Sequence, residues 1–198
     1  MPLRQLALRL AAIATLTGTV TLGSAAEASA ATTHKSLTGK QLLAVVKGLH
    51  FAPHGFYSPA GRGSLRPLPA SPGMCGGAQP ASIQVLNWAT RPKTQLSIEI
   101  NQTKDAATAA KAYASLIDPR HNCQGQTVTQ PRGIPANVRL VTQTAGGKVF
   151  REALVTVEGN ALVFAELQHP GTWSAHDIAV EHYALHRVVA AYRAATQA

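Results

Sequence analysis

Hydrophobic and polar residues alternate along part of the chain, and this alternation predicts paired β-strands. Within 94–102, Leu96, Ile98 and Ile100 take every second position, and polar residues fill the positions between them. A period of two places the apolar side chains on one face of a strand. The stretch 82–88 is a second β-rich run, and the Arg-Pro-Lys segment that follows it marks a turn.

The second half of the chain contains three more β-rich runs that are separated by short turns. The runs are 138–144, 148–157 and 161–168, and the turns are Gly146-Gly147 and Gly159-Asn160. Two-residue turns of this composition close hairpins, because glycine and asparagine tolerate the positive φ angles that such turns require. We therefore predict an antiparallel meander and, with the first two strands, a central sheet of about five strands.

Three other segments have the 3.6-residue period of a helix. A capping box at 38–41 begins the first helix, which ends near Gly48. We expect the second to lie between Thr103, as its N-cap, and Pro119, which stops it. The third covers 174–195. Two or three helices packed on an antiparallel sheet make an α+β fold.

The segment 51–82 interrupts these patterns. It holds six prolines and six glycines, and proline cannot donate the backbone hydrogen bond that a helix interior or a central strand requires. We predict a long loop here, with neither helix nor central strand.

The first thirty residues have the features of a secretory signal peptide. Arg4 and Arg9 precede an apolar run at 10–22, and an Ala-Ser-Ala cleavage site ends at Ala30. The apolar run is shorter than the roughly 20 residues that a transmembrane helix needs. We expect cleavage after Ala30 and a secreted protein without a membrane span, in which 31–198 form a single domain.

Cys75 and Cys123 are the only two cysteines. In an exported protein, one pair without metal-type spacing indicates a disulfide. A cross-link that closes a loop of this length stabilises the fold by roughly 4 kcal/mol in the chain-entropy model. We therefore predict a bond between Cys75 and Cys123.

The charge of the chain is strongly positive and unevenly placed. The formal net charge is +9, and no acidic residue occurs between Glu27 and Glu99. That interval contains Lys35, Lys40, Lys47, Arg62, Arg66, Arg91 and Lys93. Such a surface attracts polyanions; export favours an envelope polymer or a lipid as the partner over nucleic acid. Solubility alone is the alternative reason for the charge.

The motif EHYALH at 181–186 places His182 and His186 four residues apart. A zinc site needs three or four ligands, and Glu181 stands before the first histidine, so the HExxH arrangement is absent. At 100° per residue from Ile178, His182 shares the apolar face and His186 lies on its rim. We predict a half-buried structural histidine beside a solvated one, with no metal and no cofactor.

The long loop carries the residues that most resemble a binding site. Aromatic rings and cations on a loop suit a sugar or an anionic ligand, and the candidates are His50, His54, Phe56, Tyr57, Arg62 and Arg66. Alternatively, the aromatic residues fix the loop to the core and the arginines face water.

The order of these elements resembles the PknH-like extracellular sensor domain family. The likeness rests on QLL in the first helix, SPGMC, the strand that leads to Trp88, and above all IEINQTKDAATAAKAYASLIDPRHNC. The resemblance implies an α+β fold with a central antiparallel sheet and a cleft that binds a ligand, and it implies no catalytic residue. The family typically has two cysteine pairs, where this chain has one.

These patterns lead us to expect a secreted, non-enzymatic domain that binds a ligand, a surface or a protein partner at the bacterial cell envelope. The first alternative is an exported hydrolase that uses two or more of Glu99, Glu152, Glu166 and His182 in one cleft. The second is a structural or protein-interaction domain. A binding domain should have a largely apolar cleft with few polar anchors.

Overall fold

The computed structural model describes residues 34–57, 63–72, 79–169 and 173–198, which all belong to one compact unit. The predicted signal peptide and Cys75 lie outside these residues. Cleavage after Ala30 and the Cys75–Cys123 bond therefore stay predictions. Arg62 of the loop candidates also lies outside the described residues.

One antiparallel sheet organises the described part of the chain. Its seven strands are β1 Ser64–Leu68, β2 Ser82–Arg91, β3 Thr94–Gln102, β4 Gln126–Thr129, β5 Arg139–Ala145, β6 Lys148–Glu158 and β7 Ala161–Gln168. Their order in the sheet is β1-β2-β3-β7-β6-β5-β4. The predicted α+β class is confirmed, and so is the meander of β5, β6 and β7, but the predicted number of about five strands is wrong.

The two strands that the sequence did not predict form the two edges of the sheet. Strand β1 lies inside the segment predicted as a loop, and it contains Pro67 opposite Ile83 of β2. An edge strand tolerates proline because one side of its backbone has no partner strand. Strand β4 has four residues, which is too short for a pattern with a period of two to stand out.

Three helices, α1 Gly39–Lys47, α2 Ala106–Ile117 and α3 Ala175–Gln197, pack on the sheet. The capping box of α1 is present as predicted, with Thr38 and Gln41 bonded to each other's backbone. The predicted cap of α2 is wrong. The side chain of Asp105 accepts from the backbone of Thr108 at 2.7 Å, whereas the hydroxyl of Thr103 donates to backbone carbonyls.

The core lies between the sheet and the pair α1 and α3. The alternating residues Leu96, Ile98 and Ile100 of β3 are fully buried there, which confirms the pattern that predicted the strand. Helix α3 supplies side chains such as Leu185 and Tyr192 to the same cluster. Burial of one such large apolar side chain stabilises the fold by about 1.5 to 3 kcal/mol.

Within the described residues, no helix is both long enough and apolar enough to span a bilayer.

Candidate ligand-binding cleft

A cleft of about 500 Å³ opens on the sheet face opposite α1 and α3. Helix α2 has twelve residues and contacts β6 and β7, so it covers only part of a seven-stranded surface. Side chains from all seven strands and from α2 reach the cleft. The cleft therefore has a side built by α2, β6 and β7 and a side built by β1, β2 and β3.

The side built by β1, β2 and β3 is polar and internally hydrogen-bonded. The strand register aligns Arg66 with Gln84, and Gln84 with Asn101. Arg66 Nε donates to Gln84 Oε1. Gln84 Nε2 in turn donates to Glu99 Oε1 at 2.5 Å, and Asn101 Nδ2 donates to the same oxygen at 2.7 Å. We call these four residues the polar wall; the bonds hold it in one arrangement before a ligand binds.

The polar wall has unused hydrogen-bonding capacity. Asn101 Oδ1 is buried and has no hydrogen-bond partner within the described residues. Within the described residues, Glu99 accepts both of its hydrogen bonds on Oε1, and Arg66 donates through Nε. Glu99 Oε2 and the two terminal guanidinium nitrogens of Arg66 have no partner among these residues, so they can bond to a ligand or to water.

The opposite side of the cleft is apolar. Ala112 and Leu116 of α2 line it together with Ala153 of β6 and with Leu162 and Phe164 of β7, the two strands that α2 contacts. We call these five residues the apolar wall. The cleft is thus divided between two chemical surfaces, and it is more polar than the cleft that we expected for a binding domain.

The two walls meet where β3 pairs with β7. Phe164 stands directly opposite Glu99 in the register, and both side chains line the cleft. Residues in direct register lie about 4.5–5.5 Å apart at their Cβ atoms. An aromatic ring and a carboxylate are therefore neighbours on the floor of the cleft.

The carboxylates of the hydrolase hypothesis are not brought together in this cleft. Glu99 is the one acidic residue that lines it among the described residues. Glu166 shares that sheet face but is 9% exposed and forms an ion pair with Arg151 at 2.6 Å. Glu152 is on the opposite face, because its register neighbour is Leu167 of the core, and His182 belongs to α3 on that face.

The structure separates the candidates that the sequence grouped on the long loop. Tyr57 forms an isolated bridge to Thr90 of β2, whereas Arg66 pairs with Gln84 of the same strand. Six positions along a strand correspond to about 20 Å. Arg66 therefore belongs to the cleft, and Tyr57 lies near the other end of β2.

The other loop candidates divide between solvent and packing. His50 and His54 are exposed, and Tyr57 keeps 69% of its surface exposed. Phe56 packs against the core cluster, and the guanidinium of Arg91 lies 4.7 Å from its ring centre. This contact agrees with the alternative in which an aromatic side chain fixes the loop.

The basic residues of the acid-free interval do not share one surface. The chain next to Lys35 follows α3 and β3, because the backbone of Leu37 donates to Gln102 at 3.0 Å. Lys93 precedes Thr94 at the opposite end of the same strand. The nine residues of β3 separate these positions by about 27 Å. This distribution is compatible with long-range attraction of polyanions by the net charge. It is not compatible with a single basic patch.

EHYALH is helical, as predicted, and lies within α3. His182 is half-buried, and burial together with His186 lowers its pKa; His186 is exposed. No group of three or more residues able to hold a metal ion occurs in the part of the chain that the structure describes.

A buried acidic cluster lies beneath α3 and was not predicted from the sequence. Glu181 is fully buried, and Glu152 and Asp177 are 3% and 6% exposed. The backbone of Leu167 donates to Glu181 Oε1 at 2.9 Å, while Oε2 has no partner within the described residues. His169 Nε2 lies 3.5 Å from Asp177 Oδ1.

The burial of these carboxyls changes their acidity. Burial, reinforced by the nearby acids Glu152, Glu166 and Asp177, raises the pKa of Glu181 to about 9. Burial, reinforced by Asp177, raises the pKa of Glu152 to about 7. Glu181 is therefore protonated at neutral pH, which lowers the cost of enclosing it in the core.

Comparison with known proteins gives a weak structural likeness. No family model matches the chain, and no curated protein matches it. Among solved structures, the extracellular domain of PknH from Mycobacterium tuberculosis is similar to 77% of this chain and 91% of its own length, at 12% identity and a TM-score of 0.43. A likeness this weak establishes neither family membership nor function.

Proposed function

We propose that this protein is a secreted, non-enzymatic binding domain of the bacterial cell envelope and that its cleft holds a small ligand. The observation that carries the proposal is the division of the 500 Å³ cleft into a prearranged polar wall and an apolar wall. Ligand sites combine apolar surface with a few fixed polar groups in this way.

The same cleft separates the proposal from its two alternatives. A carboxylate-pair hydrolase requires two carboxyls about 5 to 10 Å apart across the scissile bond, and Glu99 lines the cleft without a second acid among the described residues. A purely structural domain would not need a polar wall with unused hydrogen-bonding capacity on a concave surface. Secretion itself depends on the signal-peptide prediction.

Native mass spectrometry of protein secreted by its own host tests the proposal. We expect a population with the added mass of a bound small molecule. Ala112→Trp places an indole inside the cleft and should remove the added mass, because Ala112 lies on the apolar wall. Ala114→Trp is the matched control, since Ala114 is exposed on the same helix, and it should retain the ligand.

Two results would count against the proposal. If wild-type protein from its host carries no ligand under conditions that preserve other weak complexes, the cleft is not an occupied site. If both tryptophan variants retain the ligand equally and circular dichroism shows both to be folded, the ligand binds elsewhere.

A further inference from the structure

From the arrangement of the two walls we infer that the ligand of the cleft is a saccharide unit carrying an acidic group, either a carboxylate or a phosphate. This inference rests on the proposed function, since it names the chemical class that the same cleft selects. It follows from two features of the cleft: a neighbouring ring and carboxylate, and a guanidinium held at a fixed distance from that carboxylate.

The pairing of Phe164 with Glu99 suits the two sides of a sugar ring. A pyranose has an apolar C–H face and an edge of hydroxyl groups. Phe164 offers an aromatic face on the floor of the cleft, and Glu99 stands beside it in direct register. A ring resting on Phe164 would therefore bring its hydroxyl edge to Glu99 Oε2.

The acceptors of the polar wall require a ligand that donates hydrogen bonds. Glu99 already receives bonds from Gln84 and Asn101 on Oε1, and an ionised carboxylate can only accept. A ligand hydroxyl can donate to the remaining oxygen of Glu99, whereas the carboxylate of an aliphatic acid, which is itself an acceptor, cannot.

Arg66 adds the requirement for an acidic group. Its Nε is fixed by Gln84, and Gln84 also bonds to Glu99. One glutamine side chain therefore sets the distance from the guanidinium to the hydroxyl-binding carboxylate. The remaining guanidinium N–H groups can form the paired bonds that a carboxylate or a phosphate accepts.

The second arginine of the cleft is less suited to this role. Arg151 lines the cleft but is bonded to Glu166 at 2.6 Å, so its charge is already matched. Arg66 forms no ion pair within the described residues, and its side chain is exposed at the edge of the sheet. Arg66 is therefore the residue that discriminates acidic from neutral sugars.

The inference is tested by isothermal titration with four probes: D-glucuronate, D-glucose 6-phosphate, D-glucose and cyclohexanecarboxylate. We expect at least one of the two acidic sugars to bind about tenfold or more tightly than glucose, because a charge-assisted bidentate contact contributes at least that factor. Cyclohexanecarboxylate has the ring and the charge without the hydroxyls, and it should bind more weakly than the acidic sugars.

Single variants test which residue produces the preference for an acidic group and which residues bind the sugar. Arg66→Gln should reduce acidic-sugar affinity to the level of glucose and leave glucose unchanged, whereas Arg132→Gln, at an exposed arginine outside the cleft, should change neither. Glu99→Gln should weaken the binding of every sugar. Phe164→Leu should also weaken the binding of every sugar, while its melting temperature stays close to that of the wild type.

The negative outcomes separate this inference from the proposed function. Equal affinity for glucose and both acidic sugars overturns the role of Arg66, and equal affinity for cyclohexanecarboxylate overturns the saccharide class. If no probe binds while host-derived protein carries a ligand that Ala112→Trp removes, the saccharide assignment fails and the binding cleft stands. If that ligand is absent as well, both fail.

Discussion

Glu181 contributes a pH dependence to the stability of the fold, and Glu181→Gln should remove that contribution. The side chain is fully buried and accepts a hydrogen bond from the backbone of Leu167. Glutamine keeps the shape and the acceptor oxygen but cannot ionise. The variant therefore isolates the contribution of the titrating proton.

The sign and size of the effect follow from the raised pKa. Burial raises the pKa of Glu181 from 4.5 to about 9, so between these values the folded protein binds a proton that the unfolded chain releases. The contribution of this group to stability is then largest at acidic pH and decreases as pH rises between the two pKa values, by about 1.4 kcal/mol per pH unit. From pH 5 to pH 8 the loss through this group is about 4 kcal/mol, a large part of the usual stability of a domain.

Urea unfolding at pH 5, 6, 7 and 8 measures this effect. We expect Glu181→Gln to lie within about 1 kcal/mol of wild type at pH 5 and to become more stable than wild type by roughly 3 to 5 kcal/mol at pH 8. Titration of Glu152 occurs in both proteins and largely cancels in the difference. Glu158→Gln, which removes an ion pair with Arg193 near the surface, is the control and should differ from wild type by a constant amount. If the difference in free energy of unfolding between Glu181→Gln and wild type does not change with pH, Glu181 does not titrate with a raised pKa in the folded protein.

Three further predictions concern the cysteines, the histidines and the charge. Cys75 and Cys123 should be bonded, so intact-mass analysis of non-reduced protein should find no thiol able to react with iodoacetamide, and two reactive thiols would show the prediction to be wrong. His182→Leu should fold normally because His182 is half-buried on α3; a stoichiometric metal present in wild type and lost in this variant would contradict the structural role. Binding to anionic lipid vesicles should weaken as salt rises from 0.1 to 1 M, because the screening length falls from about 10 to about 3 Å. Since the cations are spread over the surface, Lys40→Ala with Lys47→Ala should weaken that binding as much as Arg91→Ala with Lys93→Ala, and a loss confined to one pair would indicate a localised patch.

Local sequence patterns predicted the elements whose partners are near in the chain. The meander was predicted from the turns Gly146-Gly147 and Gly159-Asn160. Positive φ angles occur there at Gly146, Gly147 and Gly159. The capping box of α1 lies within four residues. Edge strand β1 was not predicted because proline, here Pro67, usually interrupts a strand. A strand at the edge of a sheet tolerates proline, but local sequence does not show which strand lies at the edge.

The buried face of α3 was predicted with an error of orientation. The prediction takes Ile178, which is partly buried, as the centre of the apolar face and places His182 within that face. Ala184, Leu185 and Val188 are almost completely buried, so the true face is rotated toward Glu181. A hydrophobic pattern does not predict a glutamate in the middle of a buried face. Protonation of Glu181 avoids the free-energy cost of burying its charge.

The cleft could not be predicted from the sequence because its residues look like an ordinary solvated face. Gln84, Glu99 and Asn101 occupy the polar positions of alternating strands, which is where exposed residues also stand. They line the cleft because β2 and β3 bring them together on one face of the sheet and because α2 packs on β6 and β7. Of the six loop candidates, Arg66 is the one that lines the cleft among the described residues.

A crystal structure of the protein purified from its own host, without added ligand, would show whether the cleft is occupied. We expect electron density for a small molecule in the cleft, within hydrogen-bonding distance of Glu99 Oε2 and in contact with the ring of Phe164. A cleft filled with ordered water alone, together with ligand density at another surface, would contradict this expectation.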